Sequence, residues 1–435
     1  MTDSAAAAFH CTSFEIDGAE LRLHYAAGAH AFTERIVLPG SLAPFPAPTV
    51  TSLVRLLWLA AAPSYFKAFA PTEFHVDGGL TARERAFVTA LLRRGLGEFS
   101  YVNDLPEVLA TAVVAPDLPD DAGALPAVWE PERALVAVGG GKDSVVTLEA
   151  LRQGLDVTLF SVNRYAPIEA TAATAELDLV HAARTLDPHL MELNAAGAPN
   201  GHVPVTAVNS LLAVLSALVL EIDTVVFSNE ASSSFGNTTW HGVEINHQWS
   251  KSLEFEQLLR ASLPDGSPQY VSLLRPLTEL RIMRRFASLP QYHAVFTSCN
   301  RAFKLDESQR TSWCGNCPKC RFVFLTLAPF VSRAELLGIF SGRDLFADPA
   351  QEEGFLELLG APDRIKPLEC VGEPDETRVA LTLLTQHPDW KDHPFLARPE
   401  IAAMTVDPAA ATPVFAFRDG RHCLPPMLVD VARAI

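Results

Sequence analysis

A glycine-rich turn that carries a cation, a carboxylate and a hydroxyl is the strongest chemical feature of the sequence. Residues 138–144 read Val-Gly-Gly-Gly-Lys-Asp-Ser. Glycines after a strand let successive N–H groups point into a concavity, and a helix that begins directly afterwards adds partial positive charge. Lysine adds a point charge, and aspartate can bind Mg²⁺. We therefore expect a phosphate site formed by Gly139, Gly140, Gly141, Lys142, Asp143 and Ser144.

The spacing of this turn differs from two common nucleotide motifs. Lys142 directly follows the glycines, so the Walker spacing is absent, and Ser144 stands where the third glycine of a dinucleotide fingerprint belongs. The alternative to a phosphate site is a tight strand-to-helix turn without a ligand. The Lys-Asp-Ser sequence inside the turn favours phosphate binding.

Four of the seven cysteines are clustered with the spacing of a metal site. They are Cys299, Cys314, Cys317 and Cys320. Four thiolates make a closed tetrahedral site, which is typical of structural zinc because no position is left for water. An iron–sulfur cluster is the alternative, since four cysteines bind both. Zinc is favoured because nothing else in the sequence indicates redox chemistry.

Polar residues follow a second predicted strand and are candidates for substrate binding. The segment 227–241 reads Phe-Ser-Asn-Glu-Ala-Ser-Ser-Ser-Phe-Gly-Asn-Thr-Thr-Trp-His. The alternative is a loop whose side chains cap its own backbone. The candidates for substrate binding are Asn229, Glu230, Ser232, Ser234 and Asn237.

Weaker candidates lie elsewhere. Asn163, after another strand, is placed to contact adenine or ribose. His241 and His247 are candidate proton-transfer groups, although a lone histidine is more often structural. Cys370 is a candidate reactive thiol, but a lone cysteine is usually a small buried apolar residue.

Alternating strands and helices from residue 134 onward predict a parallel sheet with crossover connections. We expect strands at 134–138, 157–162, 190–193 and 224–228, and helices at 144–152, 177–186 and 205–222. Ligands of such sheets bind outside the carboxyl ends of the strands. The glycine turn and the polar segments follow strand ends, so the site is expected there.

The rest of the sequence predicts one region on each side of the α/β domain. Residues 1–125 form an α+β N-terminal domain with three antiparallel strands and a helix capped by Thr81 and Glu84. Residues 114–128 are the predicted linker, residues 130–340 the α/β catalytic domain, and residues 341–435 a mixed C-terminal region.

Composition narrows the class of protein. The 435 residues include 34 Lys and Arg against 51 Asp and Glu, for a formal net charge of -17, which disfavours nucleic acid and anionic membranes as partners. No signal peptide pattern is visible, and the longest apolar stretch, 203–220, contains Thr, Asn and Ser. We expect a cytoplasmic protein with a small-molecule substrate and no membrane span. The oligomeric state stays open.

The glycine turn resembles the PP-loop of the ATP pyrophosphatase superfamily, whose pattern is Ser-Gly-Gly-x-Asp-Ser. Gly139 replaces the first serine, so one hydroxyl contact is missing. The resemblance implies cleavage of ATP to AMP and pyrophosphate, with adenylation of a carbonyl or carboxyl oxygen. The cysteine cluster is similar to the zinc site of the 7-cyano-7-deazaguanine synthases, which are PP-loop enzymes; that likeness covers about residues 134–328.

A second resemblance covers residues 134–373. The glycine turn, the block Ser228-Asn-Glu-Ala-Ser, the run 313–320 and the segment 366–373 resemble the UDP-N-acetylmuramoyl-L-alanyl-L-glutamate epimerases (MurL). It implies ATP- and Mg²⁺-dependent inversion of the terminal L-glutamate of a peptidoglycan precursor, through an acyl adenylate. Residues 1–125 would then recognise the UDP-sugar peptide.

This resemblance assigns roles to the candidates. Asp143 and Lys142 would serve the nucleotide, and Glu230 and His241 the glutamyl end or the proton transfer. Two other functions stay open at this point: a PP-loop enzyme that acts on a nucleobase or tRNA, and a zinc-stabilised nucleotide-binding protein without activity. The sequence does not identify the general base.

Overall fold

The computed structural model describes residues 8–119, 129–303 and 311–435 and is of the α/β class. Its strands are β1 Phe9–Asp17, β2 Glu20–Ala27, β3 His30–Val37, β4 Glu73–Val76, β5 Ala112–Val114, β6 Arg133–Ala137, β7 Asp156–Val162, β8 Leu179–Thr185, β9 Thr224–Phe227, β10 Thr238–Trp240, β11 Val243–Ile245 and β12 Gln269–Ser272.

Helices cover both faces of the main sheet. They are α1 Ala47–Ala61, α2 Pro63–Phe66, α3 Ala82–Ala90, α4 Gly97–Asn103, α5 Lys142–Leu151, α6 Ala166–Ala175, α7 Pro188–Ala195, α8 Val205–Val219, α9 Leu253–Ser262, α10 Glu279–Ala287, α11 Pro318–Leu327, α12 Arg333–Ile339, α13 Glu352–Leu358, α14 Pro374–Leu384, α15 Pro399–Ala402, α16 Ala411–Phe415 and α17 Pro426–Arg433.

Ten strands form one continuous sheet, in the order β12-β9-β6-β7-β8-β3-β2-β1-β4-β5. The five strands from β12 to β8 are parallel, as the alternation of strands and helices predicts. Strand β3 joins them by antiparallel pairing with β8. The sheet therefore runs across the predicted domain boundary near residue 125. The linker prediction falls partly on residues 120–128, which lie outside the described residues, and the division into domains stays a prediction.

Alternate residues of the central strands face two apolar cores. Ala134 and Val136 of β6 pack into one core, together with α5, α10 and the C-terminal helices. Leu135 packs into the other core, together with α1, α8 and the N-terminal strands. This two-residue period explains why β6 is apolar from Ala134 to Ala137, because a strand with helices on both faces has no solvent side.

Two expected elements were wrong. Residues 177–186, expected as a helix, contain strand β8, and residues 190–193, expected as a strand, lie in α7. Strand β8 fits between β7 and β3, so both its edges are paired. Helix α7 starts because Asp187 accepts a hydrogen bond from the His189 N–H and Pro188 occupies the first turn. The remaining expected strands, the helices near 144–152 and 205–222, and the Thr81–Glu84 capping box are confirmed.

None of the helices formed by the described residues is both long enough and apolar enough to cross a membrane.

A buried ion pair lies beside the junction between β3 and β8. Glu34 is fully buried, and its carboxylate accepts two hydrogen bonds from the Arg184 guanidinium, at 2.7 and 3.1 Å. Arg184 also donates to the hydroxyl of Ser64 at 3.0 Å. Neither charge can be removed alone without leaving the other buried and unpaired.

We expect Glu34→Ala to lower the free energy of unfolding by about 3–5 kcal/mol, because it leaves Arg184 without its buried partner. Glu15→Ala is the matched control, since Glu15 pairs with Arg22 on the exposed face of the same sheet and should change stability far less. Urea titration of both variants measures this difference. Equal losses would show that the junction does not depend on the ion pair.

Candidate active site

A cavity of about 310 Å³ opens at the carboxyl ends of β6, β7 and β9. The sequence predicts a site at this edge of the sheet. The polar groups that line the cavity come from distant parts of the chain and include Asp143, Ser144, Ser161, Asn209, Asn229, Glu230, Lys251, Glu279, Ser298, Asn300, Lys319 and Cys370.

The glycine turn forms one wall of this cavity. Gly140 has a φ of 74°, and a Cβ there would lie 3.2 Å from the side chain of Pro167, so this position needs glycine. A Cβ at Gly139 would meet no atom within 4 Å, which leaves that side of the turn open. Gly141 is the N-cap residue of α5 and has no side chain with which to cap the first N–H groups. These N–H groups are available to an anion.

Lys142 is the buried cation of the turn. Only 3% of its side chain is exposed, and its Nζ donates to Asp143 Oδ1 at 2.6 Å and to the carboxylate of Glu279. Burial alone would lower the pKa of Lys142, but the two carboxylates raise it overall. Lys142 therefore stays protonated and holds both carboxylates, while Asp143 remains partly exposed at 31%.

Glu279 is a site residue that the sequence analysis missed. It is the first residue of α10, and the carboxylate lines the cavity. Burial raises the pKa of Glu279, and the nearby charges of Asp143 and Glu230 raise it further, against the opposite effect of Lys142. Its sequence context, an acidic residue in the first turn of a helix, is common in proteins and does not single it out.

Asn229 and Glu230 line the cavity as expected. Asn229 donates to the Ser272 hydroxyl at 3.0 Å, and Glu230 is 5% exposed. The Ser232 hydroxyl lies behind Glu230 and donates to its Oε1 at 2.7 Å. Arg275 donates to the Glu230 carbonyl at 2.8 Å. Glu230 is thus held from two sides with its carboxylate at the cavity.

Two other predicted substrate residues hold the polar segment in place. The Ser234 hydroxyl accepts from the Leu253 N–H at 3.1 Å. The Asn237 amide donates to the Pro367 carbonyl at 2.8 Å and accepts from the His247 N–H at 3.0 Å. Neither lines the cavity. These contacts join the polar segment to other parts of the chain rather than to its own backbone, and the binding roles of both residues stay predictions.

Asn163 and His241 also lie away from the cavity. Asn163 has a φ of 60°, and its side chain makes two hydrogen bonds to the backbone of Arg184, at 2.8 and 3.1 Å. His241 is exposed in the two-residue turn between β10 and β11, with a φ of 47°. Positive φ at both His241 and Gly242 is typical of a hairpin turn. The binding roles proposed for these residues stay predictions.

A thiol and two cations form a cluster on another wall. Lys251 donates from Nζ to Cys370 Sγ at 3.2 Å, and both residues line the cavity. The imidazole of His247 is also hydrogen bonded to Cys370. Burial would raise the pKa of Cys370, but Lys251, Lys319 and His247 lower it to about 6.

Glu98 of α4 reaches this cluster from the N-terminal part of the chain. Its carboxylate pairs with His247 Nδ1, and the ring of His202 packs against that of His247 at a tilt of 43°, with ring centroids 4.5 Å apart. Burial lowers the pKa of His247, but Cys370 and Glu98 raise it to about 9 overall. The pKa of His202 is lowered to about 3 by burial and by His247.

The four clustered cysteines come together as the sequence predicts. Their sulfur atoms all lie within 4.8 Å of one another, and the sulfur atoms of Cys314 and Cys320 are 3.7 Å apart. A tetrahedral zinc site with Zn–S bonds of about 2.3 Å has sulfur–sulfur distances of about 3.8 Å. The N–H groups of Gly315 and Cys320 donate to the sulfurs of Cys320 and Cys317. The geometry fits a closed four-sulfur metal site.

This cysteine cluster is connected to the glycine turn. The Thr297 hydroxyl accepts from the Cys299 N–H at 3.1 Å, and the Thr297 N–H donates to the Gly140 carbonyl at 2.9 Å. A Cβ on Gly141 would lie 3.3 Å from the Ser298 hydroxyl. A metal ion bound to the cysteines would therefore fix the wall of the cavity that faces the turn.

Comparison with known proteins gives matches over almost the whole chain. The MurL N-terminal domain matches residues 1–273, and the MurL C-terminal domain matches residues 295–412. Three relatives carry the name UDP-N-acetyl-alpha-D-muramoyl-L-alanyl-L-glutamate epimerase. The Micromonospora protein is 47% identical over 96% of each chain. The Salinispora tropica protein is 45% identical over 94% of this chain and 91% of its own.

The third relative, from Xanthomonas oryzae pv. oryzae, is 41% identical over 92% of this chain and 90% of its own. No solved structure matches the chain significantly.

We expect Cys320→Ser to lose the bound metal, since Cys320 is a fully buried member of the cluster and a three-sulfur site binds less tightly. Metal content per chain, measured by mass spectrometry on the purified protein, should fall from about one towards zero. Cys423→Ser is the control, because Cys423 lies outside the cluster. Equal metal content in the wild type and Cys320→Ser would contradict a four-cysteine site.

Proposed function

The chain belongs to the MurL family of UDP-N-acetyl-alpha-D-muramoyl-L-alanyl-L-glutamate epimerases, and on this premise we propose that it inverts the terminal L-glutamate of that precursor to D-glutamate at the expense of ATP. The products of ATP are AMP and pyrophosphate. The reaction belongs to the synthesis of peptidoglycan precursors.

The observation that carries the proposal is that an anion cradle and a set of acid–base groups line one cavity. Gly139 and Gly141 lie on one wall, and Glu230, Lys251 and Cys370 lie on the others. Phosphate chemistry and proton transfer on one small molecule require this proximity. The family match favours the epimerase over the nucleobase and non-catalytic alternatives.

Adenylation explains why an epimerase would need ATP. A Cα–H beside an ionised carboxylate resists deprotonation, because the resulting carbanion would lie next to a negative charge. Attack of the carboxylate on the α-phosphorus forms an uncharged acyl group and releases pyrophosphate. Electron density from the Cα–H bond can then move into that acyl carbonyl, which donors in the site stabilise.

The groups of the glycine turn fit the nucleotide part of this reaction. The N–H groups at the start of α5 would bind the phosphates, and Gly139 leaves room for their approach. Asp143 would hold Mg²⁺, which neutralises phosphate charge, since Asp143 is partly exposed at the cavity. Lys142 orients Asp143 through its 2.6 Å hydrogen bond.

The second half of the reaction returns the carboxylate. Once Cα has lost a proton and regained one on the opposite face, water attacks the acyl carbon and AMP leaves. The carboxylate oxygen that attacked phosphorus departs with AMP. Substrate and product have the same composition, so the net change is inversion coupled to hydrolysis of ATP.

We further propose that the cysteine cluster holds a structural zinc ion that fixes the cavity wall at 297–300. Free thiols and a substrate activated with ATP are both consistent with a cytoplasmic enzyme.

An oxygen label tests adenylation directly. Substrate with ¹⁸O in the α-carboxylate of glutamate should give AMP that carries one ¹⁸O atom, with one AMP formed for each anhydride hydrolysed. Mass spectrometry of AMP measures the label, and chiral analysis of the released glutamate measures inversion. D-glutamate formed without AMP, or AMP without label, would contradict the proposed route.

We expect Asp143→Asn to lower kcat/KM for ATP-dependent inversion by on the order of 10²- to 10³-fold, because it removes a charge that binds the metal–nucleotide complex. Asp156→Asn is the matched control, since Asp156 begins β7 at the opposite end of the strands and is 69% exposed. Steady-state pyrophosphate release measures both. Similar rates for wild type and Asp143→Asn would contradict the assigned role.

A further inference from the structure

The proton-transfer base is the part of the reaction that the sequence left open, and Cys370 is the thiol among the described residues that line the cavity. Cys370 lies in the segment before α14 and lines the cavity together with the glycine turn. It is half-buried and forms no disulfide. The four cysteines of the metal cluster do not include it.

Three cations face the sulfur of Cys370 from two parts of the chain. Lys251 follows the β10–β11 hairpin and donates to the sulfur at 3.2 Å. His247 precedes it and is hydrogen bonded to the same atom, while Lys319 comes from the first turn of α11. This arrangement favours the thiolate, the form of cysteine that accepts a proton.

A carboxylate lies near each of the three cations that face Cys370. Glu98 pairs with His247, and Glu369 lies 3.8 Å from Lys319. Glu230 interacts with Lys251 through space. Each of these carboxylates thus lies beside one of the cations that face Cys370.

We infer that the Cys370 thiolate is the group that removes or returns the proton on one face of the glutamyl Cα, with Lys251 and His247 as positioning residues that keep it charged. The inference rests on the proposed function, because it takes the activated glutamyl group as the substrate of this step. It also gives the N-terminal part of the chain a role, since Glu98 orients His247.

The thiolate takes the proton of Cα, so a C–H bond breaks and an S–H bond forms. The electron pair of the C–H bond moves into the acyl carbonyl of the mixed anhydride. A proton that comes from solvent is then added to Cα on the opposite face. The thiol gives its proton to solvent, and the thiolate is restored.

Substitution of Cys370 separates the two halves of the reaction. In Cys370→Ser, exchange of ¹⁸O between substrate and AMP should continue, because adenylation and hydrolysis do not need this base. Incorporation of deuterium at Cα in D₂O should fall by at least about 10²-fold. Cys423→Ser, a half-buried thiol outside the cavity, should incorporate deuterium at the wild-type rate.

Lys251→Met tests the positioning role through the pH profile. In the wild type, the acid limb of kcat/KM for Cα exchange should have its midpoint near pH 6, because the pKa of Cys370 is lowered to about 6 and activity needs the thiolate. Activity therefore rises as pH increases through this value. In Lys251→Met, the ammonium group 3.2 Å from Cys370 Sγ is lost, so the pKa of the thiol should rise. The midpoint of the acid limb should therefore move to a higher pH by about one to three units.

Alkylation supplies a readout that does not depend on epimerase activity. Iodoacetamide labelling of Cys370, followed by peptide mass spectrometry, should show the same midpoint near pH 6 and the same upward shift in Lys251→Met.

The outcomes distinguish the inference from the function on which it rests. Cα exchange at the wild-type rate in Cys370→Ser would overturn the role of Cys370 and leave adenylation intact. An unchanged pH limb in Lys251→Met would overturn the positioning role. Wild-type enzyme that forms no labelled AMP with this substrate would instead overturn the proposed function, and the inference with it.

Discussion

The buried ammonium of Lys142 lies between the carboxylates of Asp143 and Glu279, and the charge balance of the cavity depends on it. A low-dielectric site can hold several carboxylates only if cations compensate them. Lys142 does this for the glycine turn, as Lys251 does for the opposite wall, where the thiolate of Cys370 needs a partner. Lys142 thus lies at the wall proposed to bind phosphate, and Lys251 lies at the wall proposed to transfer the proton. Removal of either lysine would leave the buried acidic groups beside it without their cation.

The fold brings three distant regions of the chain to this cavity. Lys251, from the segment between β11 and α9, and Cys370, from the C-terminal part, line the cavity. Glu98, from the N-terminal part, lies behind them and pairs with His247. The continuous sheet makes this possible, because β3 pairs with β8 and fixes the N-terminal elements relative to the parallel strands. The cysteine cluster fixes the remaining wall through Thr297, which bonds to Gly140. The regions beyond the central sheet therefore contribute to the chemistry as well as to stability.

Sequence patterns within short segments correctly predicted the features that are formed by residues close together in the chain. The glycine turn, the cysteine spacing and the parallel strands each lie within short segments, and all three are present. Residues defined by long-range contacts were missed or misplaced. Glu279 and Lys251 acquire their roles from partners far along the chain. His241 has a positive φ in the turn between β10 and β11, and the Asn163 side chain bonds to the backbone of Arg184, a partner 21 residues further along the chain. Strand β8 was mistaken for a helix because its pairing with β3 is not visible locally.

The central claim is that inversion occurs while the glutamyl carboxylate is bound to AMP. Hydroxylamine traps acyl adenylates as hydroxamates, so the configuration of the trapped product reports the state at which Cα inverts. Wild-type enzyme quenched with hydroxylamine during turnover of the L-substrate should give both L- and D-glutamyl hydroxamates, and Cys370→Ser should give the L form alone. Hydroxamate of purely L configuration from wild-type enzyme, in a reaction that releases free D-glutamyl product, would contradict the claim, because inversion would then occur outside the adenylate.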